Sequence, residues 1–249
     1  MEIYLAIAQI AYVNDLIYGA DILCAYPYLK NHHHLIDNLD KTRNFICDSG
    51  VFTMINSGKR FEIKSYIDEY ADFIKSHNIR QYVEMDVDQI YGVEETRRMR
   101  DYLENRVGYQ SIPVWHTIRG KESFLQDCRD YNYIALGYFL TEGLPKKLTE
   151  KYAKVFVDTA HAHNCRIHGL GYTPRNIADI PFDSVDSSSW SASGRYATRY
   201  KFDPKTGMMN SIQKPDRKRS INAREFMRTA FAEWRKYQDY AIQNIPPIW

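Results

Sequence analysis

Short apolar segments alternate with helical patterns along most of this chain, which restricts it to a few architectures. Four helical patterns lie between apolar segments, at 63–74, 93–105, 121–129 and 147–163. This alternation predicts parallel strands joined by crossover helices. The eight apolar segments, each a candidate strand, are 4–10, 21–26, 44–47, 81–85, 111–115, 133–136, 166–170 and 182–185.

Eight strand–helix units in 249 residues match the usual size of a (β/α)8 barrel, also called a TIM barrel. We therefore predict an α/β fold with a single domain over 1–249. An irregular basic insertion is expected at 195–220 and a C-terminal helix at 221–244. An open, doubly wound sheet is the alternative, but the first strand is not followed by Gly-x-Gly-x-x-Gly and the chain has no P-loop.

The composition is that of an ordinary globular protein, with 44% hydrophobic and 26% charged residues. No apolar run approaches the roughly 18 residues that a membrane span needs, and the first residues lack the basic region of a signal peptide. The four cysteines form no Cys-x-x-Cys pair, so we expect neither a zinc ribbon nor a disulfide scaffold. A reduced, cytoplasmic environment without a membrane partner is the expectation.

Positive charge is concentrated near the C-terminus. The whole chain has a formal net charge of +2, whereas 195–219 holds eight cationic and two acidic side chains, a net charge of +6. Aromatic residues interleave with these cations, so the segment could bind phosphates and stack on exposed bases. A solvated basic loop is the alternative. The nucleic-acid-binding candidates are Arg195, Tyr196, Arg199, Lys214, Arg217 and Lys218.

Polar residues follow several of the predicted strands. In a barrel these positions share one rim, where active sites lie. Each residue alone could cap a helix, form a turn or be a satisfied buried histidine, but capping does not require acids at several successive strand ends. The polar residues at strand ends are Asp48, Ser49, Asp86, Asp88, Gln89, His116, His168 and Asp186.

Five segments occur in the order of the motifs of one enzyme family. They are 48–53 (DSGVFT), 87–90 (VDQI), 134–137 (IALG), 168–171 (HGLG) and 185–195 (VDSSSWSASGR). These segments resemble the D-S-G-G-[FY]-Q, [FL]-D-E-C, G-L-A-V-G, L-M-G-V-G and F-D-C-V-x-P-T-R-x-G-R motifs of the tRNA-guanine transglycosylases. The C-x-C-x-x-C zinc site of that family is absent, and the chain is much shorter than the tRNA enzymes. In both respects the chain resembles the short, phage-type relatives of that family that modify DNA.

The resemblance implies a base-exchanging pentosyltransferase that replaces guanine in a nucleic acid by a 7-deazaguanine such as preQ0, the chemistry of queuosine-type modification. DNA is the expected polymer and tRNA the alternative. No cofactor and no metal are implied. The expected location is the cytoplasm of a bacterial or phage-infected cell.

The resemblance also suggests which residues do the chemistry. Asp186, by its motif, would attack C1′ of the sugar and form a glycosyl ester. Asp48 would donate a proton to guanine and later accept one, with a pKa moved toward neutrality. Asp88 would accept from N1–H and the 2-amino group of guanine, with Asp86 as the alternate. Further base-binding candidates are Ser49, His116, the backbone at Leu136 and Gly137, His168 and Gly169.

Two other functions remain open from the sequence. A metal-dependent barrel hydrolase could use His116, His168 and Asp186 as ligands. A catalytically silent barrel that binds nucleic acid is the third possibility, although three aspartates at the expected positions argue against it. The sequence does not indicate an oligomeric state.

Overall fold

Strands and helices alternate as predicted, and the α/β class is confirmed. The computed structural model describes residues 1–7, 12–56, 62–137, 146–173, 177–196, 198–212 and 222–245. Its strands are β1 (Glu2–Ile7), β2 (Asp21–Ala25), β3 (Asn44–Asp48), β4 (Val114–Trp115), β5 (Tyr133–Leu136), β6 (Arg166–Gly169), β7 (Ser184–Ser187), β8 (Arg199–Asp203) and β9 (Met208–Ile212). Its helices are α1 (Tyr26–Leu29), α2 (His33–Ile36), α3 (Val51–Asn56), α4 (Ile63–Ser76), α5 (Asp88–Tyr91), α6 (Val93–Val107), α7 (Gly120–Asp130), α8 (Lys146–Ala162), α9 (Ser189–Tyr196) and α10 (Ala223–Asn244).

Seven strands form one sheet in the order β3-β2-β1-β7-β6-β5-β4. Every neighbouring pair is parallel, so the carboxyl ends of all seven strands lie at the same edge. The register aligns Ala25 with Asp48 and Tyr4 with Asp186. Among the described residues, no regular strand pairing joins β3 to β4, so the sheet is curled but open between these two strands. The complete eight-stranded barrel is therefore not confirmed.

The predicted strand at 81–85 makes only isolated pairings. Cys47 pairs with Tyr82, and Val83 pairs with Ile112, each through a single parallel bridge. The Val83 N–H donates to the Cys47 carbonyl at 2.9 Å, and the Ile112 N–H donates to the Tyr82 carbonyl at 2.7 Å. The segment therefore lies between the two edge strands of the curled sheet.

A side chain interrupts the backbone pairing beside this segment. The Val114 N–H donates to the Glu84 carboxylate at 2.5 Å rather than to a backbone carbonyl. A ladder hydrogen bond is lost where a side chain takes the donor. Because a side chain takes the place of the backbone acceptor, 81–85 does not continue as a regular strand.

The curled sheet separates two apolar cores. Successive side chains of a strand point to opposite faces, so Ile3 and Tyr4 belong to different cores. The larger core lies between the sheet and the helices and includes Ile3, Ile22 and Phe231. The smaller core is on the other face and contains Tyr4, Leu23, Ile46, Val83, Ile112, Val114 and Ala135.

Helix α4 illustrates how the helices cover the sheet. Its buried residues recur at intervals of three and four, which places them on one side of the helix. The Glu62 side chain caps its first turn by accepting from the Lys64 and Ser65 N–H groups. The buried residues are Tyr66, Ile67, Tyr70, Ala71 and Ile74.

Helix α10 is the C-terminal helix that the sequence predicts at 221–244, and it packs against α9, β1 and β8. The Gln238 side-chain amide donates to the carbonyls of Ile3 at 2.6 Å and Asp21 at 2.8 Å, which joins the helix to β1 and β2. No helix among the described residues is both long and apolar enough to cross a membrane.

The basic insertion contains regular structure, so the prediction of an irregular segment was wrong for 199–212. Strands β8 and β9 form an antiparallel hairpin. The Phe202 ring stacks on Tyr237 of α10 with centroids 5.3 Å apart, and the Phe202 N–H donates to Glu233 at 2.9 Å. The Phe202 side chain therefore helps to hold the hairpin against α10.

Candidate functional site

Three carboxyl groups from different strand ends approach one another at the carboxyl edge of the sheet. Asp48 is the last residue of β3, Asp186 lies in β7, and Asp86 follows the bridging segment at 81–85. Burial raises the pKa of Asp48, and the charges of Asp86 and Asp186 raise it further, as charges within several ångströms do. The fold therefore brings together three acids that the sequence analysis selected.

The environment of Asp48 favours the protonated carboxyl. Burial is the largest cause, and the charges of Asp86 and Asp186 add to it, so the pKa of Asp48 rises to about 6. Hydrogen bonds from the Gly50 and Ser49 N–H groups act in the opposite direction. A carboxyl that titrates near neutral pH can both donate and accept a proton under ordinary conditions.

The turn after Asp48 requires glycine. Gly50 has a φ of +64°, and a Cβ at this position would lie 2.4 Å from the Pro27 ring. Ser49 is buried, and its carbonyl accepts from the Tyr66 hydroxyl at 2.6 Å. Its own hydroxyl has no hydrogen-bond partner among the described residues.

Asp86 is paired with His116. The His116 Nε2 lies 2.7 Å from Asp86 Oδ1, and the Asp86 side chain is 29% exposed. Burial lowers the pKa of His116, but the hydrogen bond and charge of Asp86 outweigh it, so the net shift is upward. A Cβ at Gly137 would lie 2.1 Å from the His116 ring, so this ring needs a glycine beside it.

Asp88 has a different partner from the one expected. It is buried, and both of its carboxylate oxygens accept from Arg119, at 2.6 Å from Nε and 3.0 Å from Nη2. Arg119 also donates to Glu84 at 2.8 Å. Both oxygens that were predicted to accept from guanine are thus occupied within the protein.

The Asp88–Arg119–Glu84 cluster continues into a second buried arginine. Arg100 donates to Asp127 at 3.2 Å and lies 3.8 Å from Glu84. Burial raises the pKa of Glu84 to about 7, although the charges of Arg119 and Arg100 oppose the shift. We call these five residues, Glu84, Asp88, Arg100, Arg119 and Asp127, the buried ion cluster.

Asp186 uses one of its two oxygens within the protein. Its Oδ1 accepts from the Gly171 N–H at 2.6 Å and faces His168 Nε2 at 3.4 Å. None of the described residues forms a hydrogen bond to Oδ2. The side chain is 10% exposed, so it is largely shielded from water.

The backbone donors predicted at 136–137 are partly used. The Gly137 N–H donates to the Trp115 carbonyl at 2.9 Å as part of the sheet, and the Leu136 carbonyl accepts from Leu170. A Cβ at Gly169 would meet the Phe182 ring at 3.3 Å, which gives this glycine a packing role. These residues therefore already make contacts within the fold at the positions where contacts with the base were predicted.

One group of side chains has the spacing for a metal ion. Ligand atoms of Asp86, Asp88 and His116 all lie within 4.8 Å of one another. Asp88 already binds the permanent cation Arg119 through both oxygens, and Asp86 and His116 are hydrogen-bonded to each other, so the group fits a metal poorly. The set His116, His168 and Asp186 is not the one that the described residues bring together.

The nucleic-acid candidates are described only in part. Arg199 is exposed in β8, and its guanidinium lies 5.2 Å from the Phe226 ring centre. Arg195 and Tyr196 are the last residues of α9, and only their backbone is described. Lys214, Arg217 and Lys218 lie outside the described residues.

The buried ion cluster and the polar contacts of His168 were not predicted from the sequence. One signal was present, because Glu84 is an acid inside an apolar segment and a buried acid needs a partner. Its partner Arg119 is 35 residues away, beyond the reach of local patterns. A search against protein-family models and against curated protein sequences finds no match to this chain.

Proposed function

We propose that this protein is a base-exchange glycosyltransferase that replaces guanine in a nucleic acid by a 7-deazaguanine. The observation that supports it is the convergence of Asp48, Asp86 and Asp186, with the pKa of Asp48 raised by burial to about 6. The order and spacing of the five segments that resemble tRNA-guanine transglycosylases support the same chemistry.

In the first half of the reaction, Asp186 Oδ2 attacks C1′ of the sugar. The Oδ2–C1′ bond forms as the bond from C1′ to guanine breaks, and its electron pair leaves with guanine. Protonated Asp48 supplies the proton that guanine takes up. The sugar is then held as a glycosyl ester, with Asp48 as the carboxylate.

The second half reverses these steps with a different base. Asp48 takes a proton from the ring nitrogen of the incoming 7-deazaguanine, and that nitrogen attacks C1′. The C1′–Oδ2 electron pair returns to Asp186 as the base binds the sugar. No net proton or electron is consumed, so the reaction needs no redox cofactor.

Asp86 replaces Asp88 in our assignment of the group that recognises the base. Asp88 is occupied by Arg119, whereas Asp86 is partly exposed and lies close enough to Asp48 to influence it. The Asp86 carboxylate can accept from N1–H and the 2-amino group, and His116 beside it can donate to O6.

We infer further that 81–85 completes the curled sheet as the eighth strand of a (β/α)8 barrel. The two bridges, Cys47 to Tyr82 and Val83 to Ile112, support this closure, since they link β3 to the chain that enters β4. The smaller core, to which Val83 contributes, would supply the side chains that fill the interior of a barrel.

DNA is the polymer we favour, with tRNA as the alternative. The absent C-x-C-x-x-C pattern supports this choice. The net charge of +6 in 195–219 suits a phosphate backbone, and exchange would take place in the cytoplasm of a bacterial or phage-infected cell. The target nucleotide would have to leave the base stack to reach the aspartates.

The test is incubation of the protein with radiolabelled guanine and either DNA or tRNA, followed by addition of unlabelled preQ0. Label that enters one polymer and is then released by preQ0 supports base exchange and identifies the acceptor. Asp186→Ala is the negative control. Failure of the folded protein to label either polymer would contradict the proposal, and polymer cleavage that chelators abolish would favour the metal-dependent hydrolase.

A further inference from the structure

A row of polar side chains runs from β5 to β7 behind Asp186. The Tyr133 hydroxyl forms a short hydrogen bond with Ser184 Oγ, and Ser184 Oγ lies 2.6 Å from His168 Nδ1. On the other side of the imidazole, His168 Nε2 faces Asp186 Oδ1 at 3.4 Å. Ser184 and His168 are both buried, so these contacts are shielded from water.

The chemistry of the end groups sets the direction of the hydrogen bonds. The Asp186 carboxylate only accepts, so the ring proton of His168 must be on Nε2. Nδ1 is then an acceptor and takes the Ser184 hydroxyl proton, which leaves Ser184 Oγ to accept from Tyr133. Burial raises the pKa of Tyr133, so this phenol stays protonated and can only be the first donor of the row.

The ring of His168 is also held mechanically. The Tyr4 ring packs edge-on against it with centroids 5.9 Å apart, and Tyr133 does so at 6.4 Å. Restraint of the ring matters because an imidazole aligns a hydrogen bond only if its plane is fixed. His168 is therefore fixed both by its contacts and by its hydrogen bonds.

We propose that His168 is a positioning residue for the nucleophile, oriented by Ser184 and Tyr133, an inference that rests on the proposed base exchange. His168 Nε2 and the Gly171 N–H together bind Asp186 Oδ1, so Oδ2 is the oxygen that attacks C1′. After attack, Oδ1 becomes the carbonyl oxygen of the glycosyl ester and keeps both donors.

This arrangement affects the two halves of the reaction differently. The two donors stabilise the carboxylate, which slows attack slightly but assists its departure when the C1′–Oδ2 electron pair returns to Asp186. Loss of the His168 donor should therefore slow the second half and leave the rate of the first half almost unchanged. The glycosyl ester should accumulate in such a variant.

The experiment compares His168→Leu, His168→Gln and Ser184→Ala in the full chain. We expect kcat for exchange to fall about 10- to 100-fold in His168→Leu, the usual effect of losing one hydrogen bond to a charged group. The KM for the base should change little, and trapped enzyme–polymer adduct should increase. His168→Gln, whose amide can donate, should recover part of kcat, and Ser184→Ala should give a smaller loss.

A second measurement does not depend on activity. Nitrogen-15 NMR of the imidazoles should show His168 with its proton on Nε2, and Ser184→Ala should shift its Nδ1 signal. Wild-type kcat and adduct level in His168→Leu, or a proton on Nδ1 in the wild-type protein, would overturn the positioning role. A wild-type protein that never exchanges bases would overturn the proposed function instead, whatever the imidazole shows. If His168→Leu does not fold, Ser184→Ala and the NMR measurement decide.

Discussion

Arg119 binds Asp88 through two nearly parallel hydrogen bonds, from Nε to Oδ2 at 2.6 Å and from Nη2 to Oδ1 at 3.0 Å. Neither side chain of the pair reaches solvent. Removal of Asp88 would take two hydrogen bonds from a buried guanidinium, which would keep its bond to Glu84. We therefore propose that Asp88 contributes to stability and that Asp86 recognises the base.

Asp88→Ala should lower the free energy of unfolding by about 3 kcal/mol, because two buried hydrogen bonds between charged groups are lost while Arg119 keeps its bond to Glu84. Denaturant unfolding measures this loss. Asp86→Ala is the matched variant: because its side chain is 29% exposed, its unfolding free energy should change by only about 1 kcal/mol.

The same two variants separate their roles in base selection. Asp86→Ala should reduce discrimination between guanine and adenine in an exchange assay by about 1–3 kcal/mol, the usual contribution of a paired contact to a base edge. If Asp88→Ala stays as stable as the wild type and alone loses base selectivity, the assignment must be reversed.

Asp48→Asn should increase stability at pH 7 while abolishing exchange. Burial raises the pKa of Asp48 to about 6 in the folded protein, so its contribution to stability is present below pH 3.8 and is lost as the pH rises through 6. The asparagine avoids this loss, which corresponds to about 2–3 kcal/mol at pH 7. Unfolding at pH 7 and at pH 3.5 measures the difference, which should vanish at the lower pH.

The activity of Asp48→Asn should fall at least about 100-fold, because a general acid–base group is removed. Asp40→Asn, an exposed aspartate, is the control and should change neither quantity. Equal stability of Asp48→Asn and the wild type at both pH values would show that the carboxyl is ionised at little cost in the fold.

Asp186→Ala should abolish both exchange and any covalent adduct between enzyme and nucleic acid. The fold should persist, because among the described residues the Asp186 side chain accepts only from Gly171 and His168. Denaturing gel electrophoresis with labelled polymer detects the adduct. An adduct that forms in Asp186→Ala as it does in the wild type would remove Asp186 from the nucleophilic role.

Reversal of charge at Lys214, Arg217 and Lys218 to glutamate should weaken polymer binding and its dependence on salt. Each lost phosphate contact should reduce the slope of log K against log salt by about 0.7–0.9. A matched control reverses three exposed lysines on α4, α7 and α8, which are Lys75, Lys121 and Lys151. If both triple variants give the wild-type slope, the polymer binds elsewhere.

Elements with regular apolar spacing could be predicted closely from the sequence. The pattern at 63–74 corresponds to α4 at Ile63–Ser76, and the apolar segment at 133–136 is β5. The segment 81–85 was less predictable, because the Glu84 side chain takes the Val114 N–H that a regular strand would have bonded. A contact between residues 30 apart in the chain leaves no periodic signal.

The candidate site was predictable in its members but not in its pairings. Strand ends place Asp48, Asp86 and Asp186 at one edge, since parallel strands share a direction. The choice between Asp86 and Asp88 depended on Arg119, which follows a separate strand and belongs to no motif that the sequence displays. The hairpin β8–β9 was missed because cations alternate with its apolar residues, and its burial comes from α10 rather than from its own pattern.

Because the sheet separates the two cores, residues of one core can change during evolution independently of residues of the other. Tyr4 belongs to the smaller core and its ring contacts His168, whereas Ile3, its neighbour in β1, packs toward the helices. Substitutions on opposite faces share few partners, so their energetic effects should be nearly additive. Substitutions in the smaller core can therefore change the surroundings of His168 while the larger core keeps its contribution to stability.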